Sequence, residues 1–199
     1  MALAAGFHEV PPGMLTTVVT HLEMRAPAAE RPVPLPEGLI LRRIEIPGVD
    51  WYRDLYTRVG ADWLWFSRLR METAELAAIL TDPGVEIWAL EKDGRAEGLL
   101  ELDFRHEGEC ELAFFGLTDT LIGSGAGRLL MNQAIARAWA RPIARFHVHT
   151  CTLDSPAALS FYLRSGFTPT RQQIEITPDP RLTGELPRDA APRIPIFEG

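Results

Sequence analysis

Two cysteines in 199 residues, Cys110 and Cys151, are too few and too far apart for a CxxC pair or a Cys/His zinc set. Both read as reduced, small buried residues, and no metal-ligand set is expected. No apolar run approaches the roughly 18 residues that suggest a membrane span, and the N-terminus lacks the basic flank and apolar core of a secretory signal. A soluble cytoplasmic protein with no membrane partner is the expectation. Positive charge is also in deficit. A net charge of −7 gives no general attraction for nucleic acid, and none is expected as a partner. No internal repeat or low-complexity tract is evident.

What is present is enough for one substantial core: 46% of residues are hydrophobic and 24% charged. Leu15 to Leu22 is rich in β-branched residues and reads as a strand, and the prolines of Ala26 to Pro36 impose an irregular linker. From Gly38 the main domain follows. Gly38 to Ile46 alternates like a strand, Asp50 can cap a helix carrying Trp51, Leu55 and Val59, and a second helix is expected over Glu72 to Leu80. Val85 to Glu91 and Arg95 to Phe104 form a hairpin about Lys92-Asp93-Gly94, with a third strand over Cys110 to Leu117. A helix from Gly125 to Ala140 places Ala126, Leu130, Ala134 and Ala138 on one stripe. Arg145 to Cys151 is a strand, Ser155-Pro156 opens a helix that ends at Gly166, and Gln172 to Ile176 is the last strand. This order gives an α/β sandwich with a mixed sheet, largely antiparallel at its beginning. The divisions are 1–37 for the strand and Pro-rich lead-in, 38–176 for the main domain and 177–199 for an irregular Pro-rich tail.

The segment that carries most chemistry is Ile122-Gly-Ser-Gly-Ala-Gly127, between an apolar strand and an amphipathic helix. Glycines let the backbone turn tightly and approach a ligand, and the first N–H groups of a helix have no internal partner. Together with the partial positive charge of the helix start, they suit a pyrophosphate.

Leu117, Asp119, Ile122, Gly123, Gly125 and Gly127 resemble the phosphate-binding segment of the GNAT superfamily of acetyl-CoA-dependent N-acetyltransferases. Ser155, Ala158, Phe161, Tyr162, Gly166 and Phe167 resemble its second motif. The resemblance covers Gly38 to Ile176 and implies a GNAT-like sheet with helices on both faces. It implies acetyl-CoA as co-substrate, held by Phe115, Leu117, Thr118, Gly123, Ser124, Gly125, Ala126, Gly127, Arg128, Ser155, Ala158 and Tyr162. Two departures stand out. Ile122 replaces the usual Arg or Gln and removes a side-chain donor from the loop, and Ser155 replaces the usual Asn. The resemblance also implies that the strand before the loop splays from its neighbour, freeing main chain near Phe115 to Leu117 for the thioester.

Direct transfer to an amine needs a neutral amine, an oriented thioester and a proton for the thiolate. Deprotonating a lysine amine at pH 7 costs about 4 to 5 kcal/mol, and an α-amino group only about 1. Glu111, six residues before Leu117, stands at the offset where some superfamily members place their base. Its alternative is a strand carboxylate facing solvent or Arg105. His147 and His149 share a strand face and titrate near neutrality, so each is a proton relay or a structural histidine, and Glu101 is a further candidate base. Tyr162 holds the place of the family's general acid; the alternative is a packing tyrosine. Trp51, Tyr52, Trp63, Trp65, Phe66 and Arg68 crowd the first two helices. Either Trp63, Trp65 and Arg68 line an acceptor pocket, Arg68 gripping a carboxylate, or the tryptophans staple helices to the sheet while Arg68 pairs with an acid. The leading function is N-acetylation of a small-molecule or peptide amine, with a homodimer left open; the alternative is a non-catalytic acyl-CoA sensor or interaction module.

Overall fold

Asp93 and Gly94 both adopt positive φ, 51° and 80°, as a two-residue turn matched to strand twist requires. They join β3 (Val85–Lys92) to β4 (Arg95–Asp103), and the chain returns as β5 (Glu109–Leu117). This meander is the middle of a seven-stranded sheet in the order β2-β3-β4-β5-β6-β1-β7, with β1 Met14–Met24, β2 Leu39–Arg43, β6 Arg145–Cys151 and β7 Thr168–Pro178. Every pairing is antiparallel except β5 with β6. The computed structural model describes residues 3–34 and 37–198; Leu35 and Pro36, the end of the expected linker, lie outside the described residues.

Among the described residues there are six helices, α1 Val49–Gly60, α2 Ser67–Arg70, α3 Thr73–Leu80, α4 Ala126–Ala138, α5 Ala158–Arg164 and α6 Pro180–Thr183, and they cover both faces. Strand alternation divides the core. Leu99 of β4 joins Tyr52, Leu55, Tyr56 and Leu76 under α1 and α3. Leu100 and Leu102 turn the other way, to Leu130, Ala134, Ala138 and Phe146 under α4. The Ala126, Leu130, Ala134, Ala138 stripe is fully buried, as the helical spacing predicts.

Several local expectations shift. Gly48 stands at the cap of α1 with no side-chain cap bond, so Asp50 lies inside the first turn. α5 begins at Ala158, and Ser155 Oγ instead accepts the Ala157 N–H at 3.4 Å in the turn ahead of it. β7 is far longer than Gln172 to Ile176, because it runs antiparallel along the eleven residues of β1. Pro169 and Pro178 are tolerated at the ends of this edge strand. β1 itself lies between β6 and β7, so the sheet extends past the span of the family resemblance. The tail expected to be irregular contains α6. Asp179 accepts the Arg181 N–H at 2.9 Å and pairs with its buried guanidinium at 2.7 Å, which also donates to the Ile194 carbonyl at 2.8 Å. Among the described residues, no helix is long and apolar enough to cross a membrane.

Candidate functional site

The parallel β5–β6 ladder holds for only three pairs, ending at Glu111 opposite His147. Beyond it the strands part. The edge of β5 that faces β6 is therefore unpaired from Leu112 to Leu117, while its other edge stays bonded to β4 through a register shift beside Glu101. A cavity of about 780 Å³ opens along this gap. Phe115, Leu117, Gly123, Gly127, Ser155, Ala158 and Tyr162 line one part of it; Glu111, His149, Trp63, Trp65 and Arg68 line another.

At the loop, Gly123 and Gly125 have φ of 80° and 88°, a region that L side chains rarely adopt, and a Cβ on either would meet nothing within 4 Å. The surface is open there. Among the described residues, the amides of Gly123, Gly125 and Gly127 have no acceptor, because α4 starts at Ala126 with Gly125 as a cap without a side chain. Ser124 stabilises the turn rather than facing a ligand: its hydroxyl donates to the Leu121 carbonyl at 2.7 Å and accepts from the Ala126 amide at 3.3 Å. Thr118 is also committed elsewhere, donating to Glu97 Oε2 at 2.5 Å, and it does not line the cavity. Arg128 donates to Ser165 Oγ at 2.9 Å and lies over the Phe161 ring.

Tyr162 is 7% exposed and packs edge-on to Phe115 and Phe167. Its hydroxyl has no hydrogen-bond partner among the described residues although it lines the cavity. Burial, with the Asp154 carboxylate adding to it, raises the phenol far above its ordinary value, so it stays protonated at any physiological pH.

Glu111 meets His149 where the two strands part. His149 Nδ1 lies 3.4 Å from Glu111 Oε1. His149 beside it holds the Glu111 carboxyl below the usual range against the opposing effect of burial. Glu111 in turn raises His149, again against burial. Arg105, the alternative partner, instead pairs with Asp103 at 2.6 Å. His147 points toward Glu109, at 3.6 Å, and burial lowers its pKa.

The aromatic side is densely tied. Tyr52 and Arg68 both donate to Glu101, which has no exposed surface. Arg68 also lies over Phe114, and its Nε is buried without a partner. Of the two readings for Arg68, the structure contains the ion pair with an acid; Glu101 is consequently occupied as an acceptor. Leu64, in left-handed backbone at φ 54°, costs about 1–2 kcal/mol and turns the chain toward Trp65. Trp65 packs at a tilt against Tyr56 and Phe114 and donates to Asp154 Oδ1 at 3.2 Å. A Cβ on Gly60 would come within 2.5 Å of that indole. Trp63 is covered by Arg193 from the tail, 4.7 Å from its ring.

Asp154 was not singled out from the sequence, yet it ties the Trp65 turn to the end of β6: it also accepts from Thr150 Oγ1 at 2.6 Å and the Cys151 amide at 2.9 Å. Its place just before Ser155-Pro156 was the only signal.

Comparisons with known proteins agree with this geometry. A mycothiol acetyltransferase of Jonesia denitrificans is 32% identical over 81 residues, 41% of this chain. The chain spans about a quarter (24%) of that relative's length. A GCN5-related N-acetyltransferase from Kribbella flavida shares the fold with a TM-score of 0.56 at 17% identity, covering 86% of this chain and 63% of the other. An aminoglycoside N-acetyltransferase solved in complex with CoA does so at 0.52 and 18%, covering 70% and 93%. The Acetyltransferase (GNAT) family profile matches residues 49–167, more than half of the sequence. On that match and on the splayed strands with their glycine cradle, the chain belongs to the GNAT acetyltransferase family.

Proposed function

We propose that this protein moves the acetyl group of acetyl-CoA to a primary amine of a small molecule or peptide by direct transfer. One observation carries the reading: the unpaired amides of Gly123 and Gly127, the free edge of β5, the unpartnered Tyr162 hydroxyl and the Glu111–His149 pair all belong to one continuous cleft. The cradle fits an acyl-CoA, since its amides have no acceptor and the space beside Gly123 and Gly125 is open. The amides of Gly123, Gly125 and Gly127 would hold the diphosphate, with Ser124 and Ala126 shaping the turn that presents them, and Phe115, Leu117, Ser155 and Ala158 the arm that leads into the gap. Bound there, the thioester supplies an activated acyl carbon and a thiolate leaving group.

The remaining work falls to side chains. Glu111 and His149 take the proton of the incoming ammonium, His149 acting when it is neutral. Tyr162 donates its proton to the departing sulfur; a buried, raised phenol is always loaded for that step. Main-chain N–H groups on the free edge of β5 steady the developing oxyanion. Trp65, Tyr56 and Phe114 form an apolar wall for the acceptor. Arg68, neutralised by Glu101, offers little to an acceptor carboxylate, so an amine on an uncharged or aromatic body fits better.

A panel of primary amines assayed for CoA thiol release tests the reading, with Gly125→Glu as the cofactor-blind control. Release with at least one amine in the natural protein, and none in the control, is expected. Thermal stabilisation by acetyl-CoA with no thiol release from any amine would favour a non-catalytic sensor.

A further inference from the structure

Many arginines of this protein meet carboxylates: Arg58 pairs with Asp54, Arg105 with Asp103, Arg181 with Asp179 and Arg188 with Glu198. Three arginines beside the glycine cradle do not. Arg128 is in the first turn of α4, Arg164 ends α5, and Arg31 arrives on the Pro-rich segment that follows β1. That segment is strapped down. Arg31 Nη1 donates to the Arg164 carbonyl at 2.9 Å, and the Arg31 carbonyl accepts from Asn132 Nδ2 of α4 at 2.8 Å. Ala28 rests on Gly166, where a Cβ would come within 2.7 Å of it and φ is +101°. Burial lowers the pKa of Arg128, and Arg31 and Arg164 lower it further, with no carboxylate opposing them. None of the three forms an ion pair among the described residues, and Glu30 pairs with none of them.

Gathering like charge without counter-charge destabilises a fold unless a ligand supplies the missing anion. We propose that Arg31, Arg128 and Arg164 seat a second phosphate beside the diphosphate cradle, the 3′-phosphate of coenzyme A, so that the protein distinguishes CoA from 3′-dephospho-CoA. The inference rests on the acyl-CoA reading of the cradle. The helix-start amides already serve a diphosphate, which leaves the guanidiniums free. A phosphate monoester carries nearly two charges at neutral pH and three acceptor oxygens, which suits several guanidinium forks. Arg31 and Arg128 each use only Nη1 within the chain and keep their other donors. The Pro-rich lead-in thereby becomes part of the binding site, because the strap brings Arg31 to residues more than a hundred positions away.

Isothermal calorimetry on the full chain with CoA and with 3′-dephospho-CoA tests this. The natural protein is expected to prefer CoA by about tenfold, a preference that shrinks at high salt. Arg31→Ala should cut the preference to about threefold and Arg31→Ala with Arg164→Ala should abolish it, while affinity for 3′-dephospho-CoA holds within about twofold. That second affinity also reports whether the variants fold. Equal affinity of the natural protein for the two nucleotides, or equal weakening of both by Arg31→Ala, would overturn the seat while leaving the cradle. No heat with either nucleotide would overturn the cradle reading itself.

Discussion

The two ends of the cleft treat charge in opposite ways. At the aromatic end, Arg68 and Tyr52 are closed onto Glu101, and Trp65 is closed onto Asp154. At the cradle, amides and guanidiniums have no carboxylate among the described residues to answer them. Buried polar groups that satisfy one another build a wall, whereas donors left open mark where a ligand completes the structure. The contrast separates what shapes the acceptor pocket from what binds the nucleotide.

The sharpest break would come at the wall. Arg68→Ala leaves the Glu101 carboxylate buried without its cation, and we expect a loss of about 3–5 kcal/mol in denaturant unfolding. Arg68→Met with Glu101→Leu should recover most of it, since a buried pair is often replaceable by apolar packing. An unchanged unfolding midpoint with a raised KM would move Arg68 from the wall to the acceptor. At the cradle the effect falls on binding. Gly125→Glu places a carboxylate among helix-start amides and should weaken CoA by about a hundredfold, measured by calorimetry, with a stability loss of only about 1–2 kcal/mol from the left-handed backbone. Tyr162→Phe should lower turnover tenfold or more with acetyl-CoA affinity nearly unchanged; a mutant as active as the parent would leave Tyr162 a packing residue.

The smallest effects concern pH. His149 is raised above its ordinary 6.5, so the stability it contributes is full below that value and is lost as pH rises through its folded pKa. Glu111 is lowered below 4.5, so its contribution is present above that value and is lost as pH falls through its folded pKa. The pair therefore stabilises most between about 4.5 and 6.5. As base, His149 must be neutral, so kcat/KM should climb with pH through a midpoint above 6.5, and Glu111→Gln should lower both that midpoint and the rate. A midpoint that stays fixed in Glu111→Gln would detach the pair from proton transfer.

The cradle was legible in the sequence because its chemistry is contiguous: glycines, a helix start and a stripe of Ala126, Leu130, Ala134 and Ala138 are all written within a few turns. The meander was legible for the same reason, through Asp93-Gly94. Partners across the sheet were not. Glu111 was open to Arg105, yet Arg105 closes on Asp103 two positions away, and His149 reaches Glu111 only because the β5–β6 ladder ends there. The length of β7 came from β1, about 150 residues earlier. The start of α5 moved three residues past Ser155, a boundary that capping side chains alone do not place.

Local order and backbone freedom were therefore determined by the sequence itself: strand and helix periods, the positive-φ glycines, the unpaired amides at the head of α4. Tertiary structure alone decided which charges meet. Arg68 and Glu101 are joined over 33 positions, and the Arg31 guanidinium reaches the Arg164 carbonyl over 133; no periodicity records such a pairing. Electrostatic partnership depends on distance in space and on burial, and both exist only after the sheet has assembled its strands out of chain order.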